Sequence, residues 1–134
     1  MRFLPAWANK AEFLWAAVPN QAVVRGDEKL TRGAWAAARC EIDGRMVTVL
    51  MIDHPANARP VLWFTMGKPF CYLSAALGLD KTSANLAAGE RWTLRYGLAV
   101  ISGPADAVRL AKLAAEWQAS NPFPTKETSN PTKP

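Results

Sequence analysis

The stretch WAAARCEI-DG-RMVTVLMI, residues 35–52, decides the fold of this chain. Residues 35–42 alternate, with Ala36, Ala38, Cys40 and Ile42 on one face and Ala37, Arg39 and Glu41 on the other, as in a half-buried strand. Asp43-Gly44 follows, a strong hairpin signal because a type I′ turn needs positive φ at both positions. Residues 45–52 are apolar on both faces, which is typical of a strand covered on two sides. The stretch therefore predicts an antiparallel hairpin inside a layered β-protein.

The segments that follow the hairpin extend this pattern to the C-terminus. Apolar runs predict strands at residues 61–66 and 70–73 and a short strand at residues 86–87. Residues 91–101 alternate most clearly, with an expected inner face of Trp92, Leu94, Tyr96, Leu98 and Val100. A helix is expected from Ser102-Gly103-Pro104 onward, packing through Leu110, Leu113 and Trp117. The fold class predicted is mainly β, an antiparallel β-sandwich of about six strands with one C-terminal α-helix.

The two ends of the chain are less regular than its middle. Residues 1–32 are a poorly defined N-terminal segment, in which residues 11–18 are either a strand or a helical turn and residues 25–29 form a polar turn. Residues 33–119 form the expected sandwich domain with its terminal helix. Residues 120–134 are mostly polar, with four prolines, which predicts a disordered tail.

Composition limits the classes of function. The 134 residues suit one domain, and the net charge of +5 is scattered without a basic run, so nucleic-acid binding is not expected. No apolar run approaches the roughly 20 residues of a membrane span. Lys10 and Glu12 interrupt the apolar N-terminus, so no signal peptide is expected; the chain is cytoplasmic if complete and periplasmic or secreted if it is a fragment. Cys40 and Cys71 are either two buried free thiols or a disulfide.

Residues 53–60, DHPANARP, form the candidate site and are called here the 53–60 loop. Two prolines in eight residues cannot continue a central strand, because each removes a ladder donor. His54 is the only histidine and is a candidate general acid/base, with Asp53 orienting it; the alternative is a structural loop histidine. A lone histidine does not make a metal site, which needs three or four ligands, so neither a metal nor a cofactor is expected.

Five other residues are candidates for binding a substrate. Asn57 either caps its own turn or contacts ligand, and Arg59 either holds an anion or forms an ion pair within the loop. Trp63 either stacks on a sugar ring or lies in the core. Trp35 and Arg39 lie on the neighbouring hairpin and are expected to line the same end of the sheet.

The chain resembles a bacterial family labelled methane oxygenase PmoA. The matching motifs are RGAW, IDG, MIDHPANARPVLWF, GKPFCYLS and LAAGERWTLRYGLAVISG. The resemblance covers about two-thirds of the chain, from Gly33 to about Gln118. The resemblance implies part of a galactose-mutarotase-like supersandwich. Members of that family are longer and carry a histidine-rich D-H-P-H-H-R-G segment, which residues 1–32 do not match. The resemblance therefore implies a truncated member, a gene fragment or one half of a split protein.

Three functions follow as competing hypotheses. The first is a carbohydrate-related β-sandwich protein, since members of the fold class often bind or process sugars. The second is a metal-dependent oxygenase, as the family label says, and the third is a non-catalytic structural remnant. The expected partners are a saccharide ligand and either a second copy of the chain or a missing N-terminal half.

Overall fold

A computed structural model describes residues 1–16, 22–79 and 81–123 of the chain. Within these ranges the elements are a 3₁₀ helix (Pro5–Trp7), β1 (Glu12–Trp15), β2 (Ala22–Arg25), β3 (Glu28–Arg32), β4 (Trp35–Ile42), β5 (Arg45–Asp53), β6 (Leu62–Met66), β7 (Tyr72–Ala76), β8 (Tyr96–Ser102) and α1 (Ala107–Ser120). All strand pairs are antiparallel. The first sheet has the order β1-β4-β5-β8, and the second has the order β2-β3-β6-β7. Two four-stranded sheets and one C-terminal helix confirm the predicted β-sandwich.

The central hairpin is confirmed in full. β4 pairs with β5 along its whole length, from Trp35 opposite Ile52 to Ile42 opposite Arg45. Asp43 and Gly44 turn the chain with φ angles of 49° and 73°, as a type I′ turn requires. The hairpin occupies the centre of the first sheet and is covered on both faces.

Two hydrophobic clusters cover those faces. Between the sheets lie Trp7, Ala36, Ala38, Cys40, Val49, Val61, Trp63, Cys71 and Leu73. Between the first sheet and α1 lie Trp35, Ala37, Leu50, Ile52, Ile101, Ala105, Leu110 and Ala114. Leu50 and Leu110 are fully buried, and burial of such a side chain contributes about 1.5–3 kcal/mol.

The N-terminal segment belongs to the sandwich, which corrects the boundary expected at Gly33. β1 pairs with β4 in the first sheet, and β3 pairs with β6 in the second. The strand β1 shows no alternation because both of its faces are apolar. Phe13 and Trp15 pack between the sheets, whereas Leu14 packs in the cluster under α1.

The C-terminal half differs from the expectation in several places, and the strand expected at residues 70–73 is found as β7, Tyr72–Ala76. Residues 86–87 and 91–95 are not strands, and β8 begins only at Tyr96. Leu98 and Val100 are exposed rather than internal, because β8 is the last strand of its sheet. The helix begins at Ala107, and its N-cap is Asp106, whose side chain accepts a hydrogen bond from the backbone N–H of Arg109 (2.8 Å).

Some expectations fall beyond the residues that the structure describes. These are the end of the N-terminal apolar run at residues 17–18 and most of the expected tail, residues 124–134. In the described part of the chain no helix combines the length and the apolar character needed to cross a membrane. The longest, α1, has 14 residues.

Candidate functional site

The 53–60 loop leaves the first sheet at the end of β5 and leads into β6 of the second sheet. Two backbone hydrogen bonds fix its start. The N–H of Asp53 donates to the carbonyl of Ala34 (2.8 Å), and the N–H of His54 donates to the carbonyl of Arg95 (3.3 Å). The loop therefore lies between the β3–β4 turn and the residues that precede β8.

Asp53 is buried, with 9% of its surface exposed. Its Oδ1 accepts a hydrogen bond from Asn57 Nδ2 (2.7 Å), and its Oδ2 accepts a longer one from the N–H of Val61 (3.4 Å). Its carbonyl accepts a bond from Gln118 Nε2 on α1 (2.7 Å). Burial raises the pKa of the Asp53 carboxyl above its ordinary value, and the bond from Asn57 opposes part of that rise.

Asn57 acts as a clamp rather than as a cap of its own turn. Its Nδ2 also donates to the carbonyl of Arg95 (2.8 Å), and its Oδ1 accepts from the N–H of Arg95 (2.7 Å). The side-chain amide thus pairs with both backbone groups of one residue, as a neighbouring strand would. The expected turn-capping role is replaced by a tie between the loop and the chain that enters β8.

His54 is buried, with 5% of its surface exposed, and both of its ring nitrogens are occupied. Nδ1 lies 3.1 Å from the backbone N–H of Ala56, which can only donate, so Nδ1 is the acceptor. The ring proton therefore lies on Nε2, which donates to the carbonyl of Asn121 (2.9 Å). The ring packs against Trp117 and Phe123, with centroids 6.0 and 5.1 Å away. Both ring nitrogens are therefore engaged within the protein, and a proton-transfer or ligand role would require one of these hydrogen bonds to break.

The five binding candidates do not converge at one end of the sheet. Trp63 is buried between the sheets, and its Nε1 donates to the carbonyl of Gly33 (2.8 Å). Trp35 is buried in the other cluster, under α1. Neither indole offers a face on which a sugar ring could stack.

The two arginines among the candidates are also apart from each other. Arg59 donates to Thr82 Oγ1 (2.9 Å) rather than to a partner within the loop. Arg39 forms two hydrogen bonds with Glu12 (2.9 and 3.0 Å) across the β1–β4 pair. Of the seven predicted site residues, Asp53, His54 and Asn57 are the ones that the structure brings into one hydrogen-bonded group.

A cleft of about 240 Å³ lies beside this group. Its walls are the β3–β4 connection and the 53–60 loop, and they are formed by Arg32, Gly33, Ala34, Asp53, His54, Pro55, Asn57, Pro60 and Val61. Sequence reasoning missed the first three of these, together with Arg95 and Gln118, which support the loop. Arg95 contacts Asn57 from 38 positions away along the chain, and Gln118 contacts Asp53 from 65 positions away. No local sequence pattern could have indicated these contacts.

The cysteines and the metal-ligating residues form no further centre in the described ranges. Cys40 and Cys71 are both free and buried between the sheets, which answers the alternative left open by the sequence. Burial, followed by the proximity of Cys40, raises the pKa of the Cys71 thiol to about 12. Within residues 1–16, 22–79 and 81–123 no three His, Cys, Asp or Glu side chains are grouped so as to hold a metal ion.

Comparison with known protein families gives a match over most of the chain. The model of a family of unknown function, DUF6807, matches residues 1–115. No curated protein and no solved structure matches the chain.

Proposed function

Because the chain belongs to DUF6807, a family of unknown function, we propose its function from its own site: a saccharide-binding β-sandwich protein. The ligand is one neutral sugar ring, held in the cleft between the 53–60 loop and the β3–β4 connection. The proposal keeps the carbohydrate hypothesis of the sequence and changes the residues that carry it.

The observation that carries the proposal is the buried carboxylate in the cleft wall. Asp53 Oδ2 has one long bond, to the N–H of Val61 at 3.4 Å. An ionised carboxylate has about four lone-pair sites, so Oδ2 retains capacity to accept hydrogen bonds. Sugar hydroxyls are donors of the kind that this oxygen lacks. A hydroxyl bound there would also offset part of the cost of burying the charge.

The size and the rim of the cleft favour the same ligand. About 240 Å³ lies just below the roughly 300–1,000 Å³ of pockets for drug-sized ligands, so the cleft suits a single ring. Arg32 is exposed at the rim, and its guanidinium offers up to five N–H donors to hydroxyl or ring oxygens. Recognition would rest on hydrogen bonds, since Trp35 and Trp63 are buried elsewhere.

His54 and Asn57 have a positioning role in this proposal. Their hydrogen bonds to Asn121, Arg95 and Asp53 hold the loop closed against α1 and β8. A cleft wall fixed before the ligand arrives loses less conformational entropy on binding. The resemblance of the loop to the PmoA-labelled family supports the proposal at the level of fold analogy.

The test is a titration of ¹⁵N-labelled protein with glucose, galactose and mannose, followed by amide chemical shifts. We expect saturable shifts at Gly33, Ala34 and Asn57 for at least one sugar. A dissociation constant near 1 mM, or about −4 kcal/mol, is the expected scale for one ring held by hydrogen bonds.

Two arginine variants make the test specific. Arg32→Ala should weaken binding by about fivefold, since it removes donors at the rim. Arg39→Ala is the matched control, because Arg39 pairs with Glu12 away from the cleft, and it should leave binding unchanged. Sugar-induced shifts confined to another surface, or no shifts with any of the three sugars, would refute the proposal.

A further inference from the structure

Strand β8 presents an open edge in the described structure. It is the last strand of the first sheet and pairs on one side with β5. The bonds from Gly103 N to Met46 O (2.7 Å) and from His54 N to Arg95 O (3.3 Å) show that odd-numbered residues of this strand face β5. Hydrogen-bonding direction alternates along an antiparallel strand. The backbone groups of the even-numbered residues, Leu98 and Val100 among them, therefore point away from the sheet.

The side chains of Leu98 and Val100 are also exposed, at 56% and 69%. Leu98 lies opposite Met51 and Val100 lies opposite Val49, so both share the face that the second sheet covers further in. This apolar strip is the continuation of the inter-sheet core beyond the edge of the second sheet. The seven residues of β8, YGLAVIS, contain no charge and no proline, which are the usual means of blocking an edge.

We propose that β8 pairs antiparallel with β8 of a second copy of this chain, giving one continuous eight-stranded sheet. A two-fold axis at Ala99 makes the strand its own complement. Each Leu98 then lies opposite Val100 of the second copy, and Tyr96 lies opposite Ser102. All four are even-numbered residues, whose free backbone groups supply the new ladder, while the odd-numbered residues keep their bonds to β5.

Charge at the two ends of β8 favours this antiparallel arrangement. Arg91 and Arg95 precede the strand, and Asp106 follows it. Antiparallel pairing brings the basic end of each copy towards Asp106 of the other, whereas parallel pairing would bring the arginines of the two copies together. The isologous contact is also closed, because each copy uses its β8 edge once and the assembly stops at two.

The proposal leaves the rest of the fold as it is. Ile101 on the opposite face of β8 stays under α1, and Gly97 stays against Trp117. The saccharide cleft opens between the β3–β4 connection and the 53–60 loop, and no residue of β8 lines it. The dimer therefore stands or fails independently of the proposed function.

Sedimentation equilibrium of the full chain tests the dimer. We expect twice the chain mass of 14.6 kDa at high concentration, with dissociation on dilution. Val100→Lys places a charge on the edge and should weaken self-association by at least about tenfold. Val108→Lys is the matched control, since Val108 is 79% exposed on α1 and its substitution adds the same charge. Self-association of this variant should be unchanged.

Hydrogen exchange of the wild-type chain tests the interface without any variant. The amides of Leu98 and Val100 point to the free edge, so their protection should rise with protein concentration. The amide of Ala99 points to β5 and should be protected at every concentration. A wild-type chain that stays monomeric, an assembly larger than two, or a dimer that Val108→Lys weakens and Val100→Lys does not would each overturn the proposal.

Discussion

Two aspartates hold loops at the ends of strands in this protein, and their surroundings differ. Asp27, in the β2–β3 turn, is exposed, and its Oδ2 accepts hydrogen bonds from the N–H groups of Gly67 (2.6 Å) and Lys68 (3.0 Å). Asp53 is buried and is bonded by the side chain of Asn57 and, more weakly, by the N–H of Val61. Both carboxylates tie one inter-strand connection to another part of the sandwich.

Solvent access decides what each tie contributes. Around Asp27 water can replace a lost partner, so each hydrogen bond there has a small net value. Around Asp53 a lost partner leaves a buried polar group without a substitute, which costs about 1–3 kcal/mol for each group. Asp53 also lines the cleft and receives one short and one long bond on separate oxygens, whereas both donors at Asp27 bond to a single oxygen in open solvent. We therefore expect a large contribution to stability from the tie at Asp53 and a small one from the tie at Asp27.

The largest expected effect is that of Asn57→Ala, which removes the clamp. The substitution leaves Asp53 Oδ1 and both backbone groups of Arg95 without their bonds from this side chain. We expect a loss of about 2–4 kcal/mol in the free energy of unfolding, measured by urea denaturation. Asn85→Ala is the matched control, because Asn85 is exposed in the connection before β8 and should change stability by less than about 0.5 kcal/mol. Equal effects of the two substitutions would contradict the clamp.

The clamp also shows which parts of the structure the sequence can predict. The β4–β5 hairpin follows from local alternation and from the Asp43-Gly44 turn. The predicted bounds of β4 are therefore correct to the residue. The 53–60 loop follows from its two prolines. In contrast, Asn57 meets Arg95 only because β8 returns beside β5, and this pairing depends on the order of the strands. Contacts that depend on the order of the strands produce no periodic pattern in a single sequence.

The errors in the predicted fold have the same origin. Phe13, Leu14 and Trp15 are adjacent because the edge strand β1 contributes to both clusters, so the period-2 signal is lost. Residues 91–95 have the period of a strand and pair with none in the described structure. Alternation indicates which face of a segment could be buried. Whether that face is buried depends on which strands or helices lie beside the segment in the fold. The tryptophans show this most clearly, because Trp35 and Trp63 are both buried strand residues and lie in different clusters.

A second prediction concerns the dependence of stability on pH. Burial raises the pKa of Asp53 from its ordinary value of 3.8, so the native state holds that proton more tightly than the unfolded chain does. Stability from this group is therefore greatest at acidic pH and falls as the pH rises from near 3.8 through the raised native value. Asp53→Asn cannot titrate, and this component of the slope should disappear.

The measurement is urea unfolding of both proteins at intervals between about pH 3.5 and 7, a range that covers ordinary and raised carboxyl pKa values. The quantity of interest is the difference between the two curves, because the other carboxylates contribute equally to both. The free energy of unfolding of the wild type minus that of Asp53→Asn should decrease as the pH rises. Parallel curves would show that the native and unfolded states hold the Asp53 proton alike.

The smallest expected effect is that of Asp27→Ala, at the exposed tie. The N–H groups of Gly67 and Lys68 lose their acceptor and can turn to water, so we expect a loss of about 0.5–1 kcal/mol in the free energy of unfolding. Asp27→Asn keeps an acceptor oxygen without the charge and should lose less. If Asp27→Ala instead lowers the free energy of unfolding as much as Asn57→Ala does, then burial does not explain a difference between the two ties. The stability of the 53–60 loop would then follow from bond geometry alone, and burial would not poise the Asp53 carboxylate for a ligand.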